Sequence, residues 1–209
     1  MSRAVGAVRT PRGYASTKRA IDLAICLVAM PFVLPVGLLC ALLIRLESPG
    51  PILFAQARTG QHGVRFPMFK FRTMVQNAEE LKASLQHLNI LPPPDFKIPN
   101  DPRITRIGGF LRKTSLDELP QILNVIRGDM SIVGPRPTSF AASTYDLWHS
   151  ERLEVIPGIT GLWQVKGRGT MTFDERLRLD IEYIETRSTV LDLKLIALTA
   201  LAVFRGSGA

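Results

Sequence analysis

The sequence is poor in cysteine and histidine. Its two cysteines, Cys26 and Cys40, both lie in the most apolar stretch of the chain, so a disulfide framework is not expected and nothing indicates an oxidising compartment. The three histidines, His62, His87 and His149, are scattered without the spacing of metal ligands. The sequence therefore predicts no zinc site.

Acidic residues are also fewer than basic ones. The chain has 209 residues, and its 26 Lys plus Arg against 18 Asp plus Glu give a net charge of +8. This excess favours phosphate-rich partners such as nucleotides, anionic lipid headgroups or nucleic acid. Prolines and apolar runs interrupt the basic residues, and no reading helix or stacking sheet can be identified. We therefore expect no nucleic-acid partner.

Charge is entirely missing from residues 23–44. These 22 residues are about as long as a helix that crosses a hydrocarbon core of ~30 Å. A secretory signal has a shorter apolar region, about 7 to 15 residues, so the signal-peptide interpretation fits poorly. The stretch predicts a membrane segment.

Two prolines, Pro31 and Pro35, interrupt this apolar stretch. Each removes a backbone donor, and a sharp bend near Leu34 and Pro35 would leave two arms too short to cross a bilayer alone. Basic residues flank both sides, as expected if both ends stay on the cytoplasmic face. They are Arg3, Arg9, Arg12, Lys18 and Arg19 before the stretch, and Arg45, Arg58, Arg65, Lys70 and Arg72 after it. The pattern predicts a re-entrant helix that docks against the rest of the fold.

Two strand-like runs follow, at residues 52–57 and 64–74, and predict a β-hairpin at the membrane surface. In the second run Lys70 and Arg72 alternate with Phe69 and Phe71. This alternation is typical of a half-buried strand with a charged wet face. Contact of Lys70 or Arg72 with a substrate is the alternative, and the sequence leaves both open.

Three helices are predicted after the hairpin. One covers residues 78–88, and another begins at a capping box of Thr172 and Glu175 and runs to about residue 185. The last apolar run, residues 190–204, contains Asp192 and Lys194, which suit an interfacial helix better than a spanning one.

Two adjacent carboxylates, Asp117 and Glu118, lie within a strongly basic segment. The nearby cations are Arg103, Arg106, Arg112, Lys113, Arg127 and Arg136. Arginine forks bind phosphate oxygens, a carboxylate can hold a divalent ion, and a second carboxylate can act as a nucleophile. The mixture suits phosphoryl transfer.

A structural role is the alternative for the same acids. Ser115 and Glu118 fit a capping box, and an acid in the first turn stabilises any helix. Pro120 and the Arg127-Gly128 pair indicate where that helix begins and ends. The acids are therefore predicted at a helix N-terminus, where capping and phosphate binding can coexist.

Several motifs occur in one order along the chain. They are K-R-x-x-D at 18–22, S-P-G-P at 48–51, F-K-F-R-T-M at 69–74, S-L-D-E-L-P-Q at 115–121, N-V-I-R-G-D-M-S-I-V-G-P-R-P at 124–137 and P-G-I-T-G-L-W-Q-V at 157–165. With these motifs the chain resembles, from about residue 18 to 204, the monotopic bacterial phosphoglycosyl transferases of the bacterial sugar transferase group.

The resemblance implies an α+β fold in which a membrane-inserted re-entrant helix joins a small, mainly helical catalytic domain with a short β-hairpin and interfacial amphipathic helices. The predicted organisation is an N-terminal tail (1–17), the re-entrant helix (18–47) and a cytoplasmic, interfacial catalytic domain (48–209). The family's helix is broken at a proline, which corresponds to Pro35, although Leu34 stands where the family often has serine.

The resemblance also implies a reaction. Asp117 would attack the β-phosphate of a UDP-sugar, UMP would leave, and a polyprenyl (undecaprenyl) phosphate would then take the sugar phosphate from Asp117. This is the initiating step of exopolysaccharide, O-antigen or glycoconjugate synthesis. Mg²⁺ is the expected cofactor, with Asp117 and Glu118 as its candidate ligands; Glu118 could bind the metal or assist proton transfer.

By the same resemblance Arg112 and Arg136 are predicted to bind phosphate, and the loop from Pro157 to Gly161 is predicted to lie near the nucleotide. The candidate substrate-binding residues are Arg112, Arg136, Pro157, Gly158, Gly161 and Gln164, together with Lys70 and Arg72, whose role the strand pattern leaves open. The expected location is the bacterial inner membrane, with the catalytic domain and both termini on the cytoplasmic side. A homodimer is one arrangement open to such an interfacial protein. The rival hypothesis is a non-enzymatic basic protein that binds anionic lipid.

Overall fold

The described residues, 13–90, 96–141, 147–167 and 171–204, form an α+β fold in this computed structural model. The elements are α1 (Tyr14–Glu47), β1 (Leu53–Thr59), β2 (Arg65–Phe71), α2 (Ala78–Ser84), α3 (Arg106–Lys113), α4 (Gln121–Arg127), β3 (Ser131–Val133), β4 (Gly158–Thr160), α5 (Leu162–Lys166), α6 (Phe173–Thr186) and α7 (Thr189–Phe204). The predicted class, mainly helical with a short hairpin, is confirmed.

α1 is the predicted apolar helix, and it begins four residues earlier than expected. Its 34 residues are long and apolar enough to cross a membrane by length and composition. Helical geometry continues through Pro31 and Pro35, so the expected break at Leu34 and Pro35 does not divide the helix into two. The re-entrant path stays a prediction.

The K-R-x-x-D motif docks the first half of α1 on the rest of the fold. Lys18 forms a salt bridge of 2.9 Å with Asp192. Arg19 donates to the carbonyl oxygens of Val125 and Ile126 at the end of α4. Asp22 is buried and accepts a 3.0 Å hydrogen bond from the backbone N–H of Ile132. Each charged residue of the motif therefore holds a different element.

The second half of α1 packs on the same domain. Cys40 and Ile44 are buried with Phe71 and Leu111, and Glu47 accepts a hydrogen bond from the N–H of Ile107 in α3. Between Cys26 and Cys40 no residue is buried. The large side chains there are strongly exposed, with Leu27 75%, Val28 72%, Phe32 72% and Leu38 64% exposed. Both ends of α1 thus contact the domain while its apolar middle does not.

The hairpin β1–β2 is confirmed, with ends shifted by one to three residues. The strands are antiparallel, and Leu53 pairs with Phe71. Because side chains alternate along a strand, Phe66, Met68 and Lys70 share one face of β2 and Phe71 lies on the other. Phe66 and Met68 are buried with Cys26, whereas Phe71 is buried with Cys40. The face with Phe66 and Met68 is therefore covered, whereas the other face is buried only at Phe71 and is exposed at Arg65 and Pro67.

A second small sheet joins β3 and β4 in parallel, with Ser131 opposite Gly158 and Val133 opposite Thr160. Backbone bonds extend this pairing past the strand ends: Gly134 N–H donates to Thr160 O at 2.8 Å, and Gly158 N–H donates to Pro135 O at 2.9 Å. A β-carbon at Gly134 would lie 2.6 Å from Ile156 O, so the close approach requires glycine there. The sheet fixes the loop that leads to Arg136.

The helical predictions agree with the structure in most respects. Residues 78–88 form α2 and a 3₁₀ turn at Gln86–Leu88. The Thr172–Glu175 capping box is present at the start of α6. On α7, Asp192 is buried and accepts bonds of 2.8 Å from both Tyr14 and Tyr183. Its charge therefore faces the fold. The interfacial position of α7 stays a prediction.

A buried ion pair of Asp101 and Arg103 stabilises the loop before α3, and it predicts a pH-dependent stability. Arg103 donates to Asp101 at 2.6 and 2.9 Å and to Ala78 O at 3.1 Å. The hydrogen bonds from Arg103 hold the pKa of Asp101 below its ordinary 3.8, so the stabilisation is present above about pH 4 and is lost as pH falls through the lowered value.

Asp101→Asn should therefore lower the free energy of unfolding by roughly 3 kcal/mol at pH 7, and the difference from wild type should shrink below pH 4. Denaturant unfolding of the detergent-solubilised protein at both pH values measures this. Glu80→Gln, on the exposed side of α2, is the control. An equal loss at both pH values would contradict the prediction.

Candidate active site

Asp117 and Glu118 lie on a single 3₁₀ turn, Leu116–Glu118, between α3 and α4. α4 begins three residues after Glu118, at Gln121, so the predicted place of the acids in the first turn of that helix is wrong. The predicted capping box is absent as well: Ser115 has φ +58° and its side chain makes no capping hydrogen bond. Because the acids do not cap a helix, their charges are available for other partners.

Glu118 is held by two cations. Lys70 Nζ donates to Oε1 at 2.7 Å, while Arg136 Nη2 donates to Oε1 and Nη1 to Oε2 at 3.3 Å. Burial disfavours the charged carboxylate, but Arg136 and Lys70 outweigh burial and hold the pKa of Glu118 far below its ordinary value. Glu118 in turn raises the pKa of Arg136. The three side chains form one fixed, ionised cluster.

Asp117 is buried next to this cluster yet is not bonded into it. The side chain belongs to a residue that is 8% exposed, and no hydrogen bond from any described residue reaches its carboxylate. Lys70 Nζ lies 3.8 Å from Oδ2, beyond hydrogen-bonding distance. Burial raises the pKa of Asp117 while Lys70 opposes that rise. The carboxylate oxygens keep some contact with solvent, so Asp117 is accessible as well as perturbed, and perturbed acids of this kind are common at functional sites.

Lys70 comes to the acids from β2. It shares its face with the buried Phe66 and Met68, so the predicted charged wet face of this strand is wrong for Lys70. Burial lowers the pKa of Lys70, and Glu118 counteracts this. The structure thus places the cation of Lys70 beside both acids.

Arg112 approaches Asp117 from the end of α3. Its Nε donates to Thr73 Oγ1 at 2.8 Å. Burial lowers the pKa of Arg112, and the nearby charge of Asp117 opposes this. Its two terminal nitrogens make no hydrogen bond with the described residues. Arg112 and Asp117 are therefore near one another, and each keeps bonding capacity for a ligand.

Arg136 is positioned by residues that the sequence did not indicate. Arg152 Nη2 donates to Arg136 O at 2.6 Å and to Asp180 Oδ2 at 2.7 Å. Asp180 and Arg152 are 1% and 6% exposed, so this pair is a buried support behind Arg136. Asp180 is on the same side of α6 as the apolar Leu177 and Ile184. A single acid on an apolar helix face was the signal that could have revealed it.

Asn124 is a second residue that sequence reasoning missed, although it lies within a quoted motif. It is fully buried on α4, and its Oδ1 accepts from Phe69 N at 3.0 Å. Its Nδ2 donates to Pro67 O at 2.7 Å and to Asp129 Oδ2 at 3.2 Å. These bonds clamp β2 on both sides of Met68. Asn124 thereby fixes the strand that carries Lys70 against the helix that follows Glu118.

Arg72 is not brought to the acids. Its guanidinium donates to Ser48 O at 2.8 Å and to Ser48 Oγ at 3.0 Å, and also to Pro49 O. The side chain is buried and closes the S-P-G-P turn after α1. This arrangement gives Arg72 a structural role and offers no support for the predicted contact with substrate.

The predicted loop at residues 157–164 lies beside the strand that leads to Arg136. Pro157 O accepts from Ser131 N at 2.8 Å, and Gly158 N bonds Pro135 O, one residue before Arg136. Gly161 is the N-cap residue of α5, and Gln164 Nε2 donates to Ile159 O at 2.8 Å. The backbone at Gly158 is thus hydrogen-bonded to the residue before Arg136, which contacts Glu118. Gln164 instead stabilises the loop itself.

The donor set around the acids suits a magnesium ion held jointly with a substrate. Among the described residues no group of three or more His, Cys, Asp or Glu converges. Mg²⁺ is commonly bound by one or two carboxylates together with substrate phosphates. Asp117 and Glu118 are such a pair, and the carboxylate of Asp117 has no hydrogen bond within the described part of the chain.

Comparison with known proteins identifies the class to which this fold and site belong. The family model for bacterial sugar transferases matches residues 13–206, nearly the whole chain. The protein belongs to the bacterial sugar transferase family.

Three relatives show the extent of the similarity. The chain is 38% identical over 213 residues to the exopolysaccharide production protein ExoY of Rhizobium meliloti (strain 1021), covering 97% of this chain and 92% of that protein. It is 47% identical over 165 residues to galactosyl transferase CpsE of Streptococcus agalactiae serotype III (strain NEM316), covering 78% and 37%. It is 46% identical over 165 residues to the undecaprenyl-phosphate galactose phosphotransferase of Salmonella typhimurium (strain LT2), covering 77% and 35%. The chain thus spans about a third of the length of the last two relatives.

The clamp made by Asn124 predicts that Asn124→Asp will be destabilising although it hardly changes the side chain's shape. The new carboxylate oxygen would face Pro67 O and Asp129 in place of the amide donor, a buried repulsion that should cost about 2 to 4 kcal/mol. Denaturant unfolding measures it. Asn77→Asp, at an exposed Asn without a capping bond, should change stability little. Equal, small effects of both substitutions would disprove the clamp.

Proposed function

We propose that the protein transfers a sugar 1-phosphate from a UDP-sugar to a polyprenyl phosphate, with release of UMP, through a covalent intermediate on Asp117. The relatives named as undecaprenyl-phosphate galactose phosphotransferase and as UDP-glucose:undecaprenyl-phosphate glucose-1-phosphate transferase support the substrate classes. The observation that carries the proposal is the buried Asp117 carboxylate, which makes no hydrogen bond with any described residue although cations surround it.

The first step uses that carboxylate as a nucleophile. An oxygen of Asp117 attacks the β-phosphorus, and the bond from this phosphorus to the oxygen that bridges to the α-phosphate breaks. UMP leaves with the bridging oxygen, and the sugar phosphate remains on Asp117 as an acyl phosphate. Glu118 is the less available nucleophile of the two acids, because both of its oxygens accept hydrogen bonds from Arg136 or Lys70.

The surrounding cations counter the negative charge that would repel this attack. Arg112 has terminal donors available for phosphate oxygens, and Lys70 lies between the two acids. Arg136 is held by Glu118 and by Arg152, so its position is fixed before a substrate arrives. Preorganised cations stabilise developing charge at little reorganisation cost. The backbone N–H of Gly158 donates to the carbonyl oxygen of Pro135, the residue before Arg136, and so helps to fix the path of the chain there.

Mg²⁺ belongs to this proposal, with Asp117 and Glu118 as its candidate protein ligands. When bound, the ion supplies charge neutralisation on the departing phosphate. The protein's own contribution is to keep Glu118 ionised through Arg136 and Lys70, so that the carboxylate pair is ready at neutral pH.

The second step needs a lipid phosphate, and α1 supplies the means to reach it. An oxygen of the polyprenyl phosphate attacks the phosphorus of the acyl phosphate and releases the Asp117 carboxylate. The apolar middle of α1 is exposed over about 13 residues, or ~20 Å, while both ends contact the domain. This arrangement supports a helix that enters and leaves one membrane face. Because nucleotide sugars are made in the cytosol, we place the catalytic domain and both termini on the cytoplasmic side.

Asp117→Asn tests the reaction. It should lower sugar-phosphate transfer by on the order of a thousandfold or more, because an amide cannot replace the attacking carboxylate. UMP release and the mass of the lipid product are the measurements, and trapping a sugar phosphate on Asp117 would identify the first step. The control is Asp174→Asn at an exposed acid on α6. A non-enzymatic lipid-binding protein would show no turnover in wild type, and full turnover in Asp117→Asn would exclude this nucleophile.

The position of Lys70 next to Asp117 predicts how the rate depends on pH. Asp117 must be deprotonated to attack, so the rate rises with pH through its pKa, which burial raises and Lys70 restrains. Removing the positive charge in Lys70→Met should raise that pKa further and move the acid limb of kcat/KM upward by about one pH unit. Lys70→Arg should leave the limb near its wild-type position. The profiles are measured at saturating Mg²⁺, and identical limbs for Met and wild type would contradict the prediction.

A further inference from the structure

Thr73 lies where three features of α3 converge, although the proposed reaction gives it no part. It follows β2 by two residues and is 7% exposed. Its carbonyl oxygen accepts from Thr105 N at 3.1 Å, and its hydroxyl accepts from Arg112 Nε at 2.8 Å. Between these contacts Gly108 lies directly against the Thr73 backbone. A β-carbon at Gly108 would be 2.1 Å from Thr73 O.

The three contacts lie on one side of α3. Thr105, Gly108 and Arg112 are separated by three and four residues, the spacing of a single helix face. Because Gly108 has no side chain, that face packs on Thr73 at backbone distance. The contacts at Thr105 and Gly108 therefore fix the position of α3 relative to Thr73, and this position brings Arg112 within hydrogen-bonding distance of the Thr73 hydroxyl.

The hydrogen bond to Nε constrains the guanidinium of Arg112. This group is planar, and fixing Nε on Thr73 restricts the directions that the two terminal nitrogens can take. Those nitrogens have no partner among the described residues, although the side chain is only partly exposed. The carboxylate of Asp117, whose charge acts on Arg112, also has no hydrogen bond there. Terminal guanidinium nitrogens without hydrogen bonds, close to a carboxylate that also accepts none, are the arrangement that an oxyanion with an electrophilic centre would complete.

We propose that Thr73 is a positioning residue for the donor's diphosphate. Its hydroxyl accepts a hydrogen bond from Arg112 Nε, and this bond orients both terminal nitrogens of Arg112 toward a phosphate group beside Asp117. The proposal rests on the proposed function and adds the residue that sets the orientation of the phosphate-binding fork. The expected ligand is a nucleoside diphosphate, because the proposed donor is a UDP-sugar. Two oxygens of one phosphate can accept two parallel hydrogen bonds from the terminal nitrogens of Arg112.

The test is a set of matched variants of the full chain. Thr73→Val keeps the shape and removes the acceptor, Thr73→Ser keeps the hydroxyl, and Thr186→Val removes a threonine hydroxyl bond at the end of α6 as the control. UDP and UMP binding are measured by calorimetry, together with kcat and KM for the UDP-sugar. We expect Thr73→Val to weaken UDP binding about tenfold and UMP binding much less, and Thr73→Ser to restore most of the loss. Equal weakening of UDP and UMP, or no rescue by serine, would overturn the proposal.

A double-mutant cycle separates this role from simple packing. If Thr73 acts through Arg112, then Thr73→Val should have no further effect on UDP binding in an Arg112→Ala background. The same tenfold loss in that background would overturn the proposal. Thr73→Ala replaces valine in the cycle if Thr73→Val does not fold. Wild-type protein that binds UDP without any turnover would refute the proposed reaction, whereas wild-type turnover unchanged by Thr73→Val would refute only the role of Thr73.

Discussion

The contrast between two neighbouring carboxylates controls this site. Glu118 is ion-paired and hydrogen-bonded with Lys70 and Arg136, whereas Asp117 is buried with no hydrogen bond from the described residues. Two adjacent acids would otherwise raise each other's pKa and share a proton. The cations remove this conflict at Glu118, which stays ionised, and leave Asp117 as the group whose protonation responds to its surroundings. Neighbours in sequence thus acquire different chemical roles through long-range contacts.

Those long-range contacts require that three remote segments meet at one point. Lys70 comes from β2, and Arg136 comes from the loop after β3. Each of these cations is supported by a further buried residue. Asn124 bonds the backbone of the strand that carries Lys70, and Arg152 bonds the backbone of Arg136. The supporting bonds use backbone groups as well as side chains, so they fix the path of the chain before they orient any charge. The positions of Lys70 and Arg136 therefore depend on the contacts between the two small sheets and α4.

The sequence predicted α1, the β1–β2 hairpin, α2, α6 and α7, because these elements follow from local periodicity and capping signals. The short parallel pair of β3 and β4 was not predicted, and the acids lie on a 3₁₀ turn where a helix N-terminus was expected. The sequence did not predict which side chains of an element are buried and which contacts they make. Lys70 and Arg72 alternate with aromatics in the same way, yet Lys70 meets Glu118 and Arg72 closes a turn. Period-two alternation cannot distinguish these two environments, since Lys70 and Arg72 are two residues apart and occupy equivalent positions in the pattern. The apolar face of α6 marks Asp180 as unusual, but its partner could not be predicted, because Arg152 is 28 residues away in the sequence.

The apolar helix and the acids are parts of one packed unit. Arg19 of α1 bonds the last carbonyl groups of α4, the helix that begins just after Glu118, and Cys26 is buried against Val125 of the same helix. A cation at a helix C-terminus is favourable both as a donor and through the helix dipole. Any motion that lifted α1 from the domain would expose these groups and disturb α4. The depth at which α1 lies in a lipid layer would therefore set the height of Asp117 relative to the phosphate of a lipid acceptor, without a separate element for that purpose.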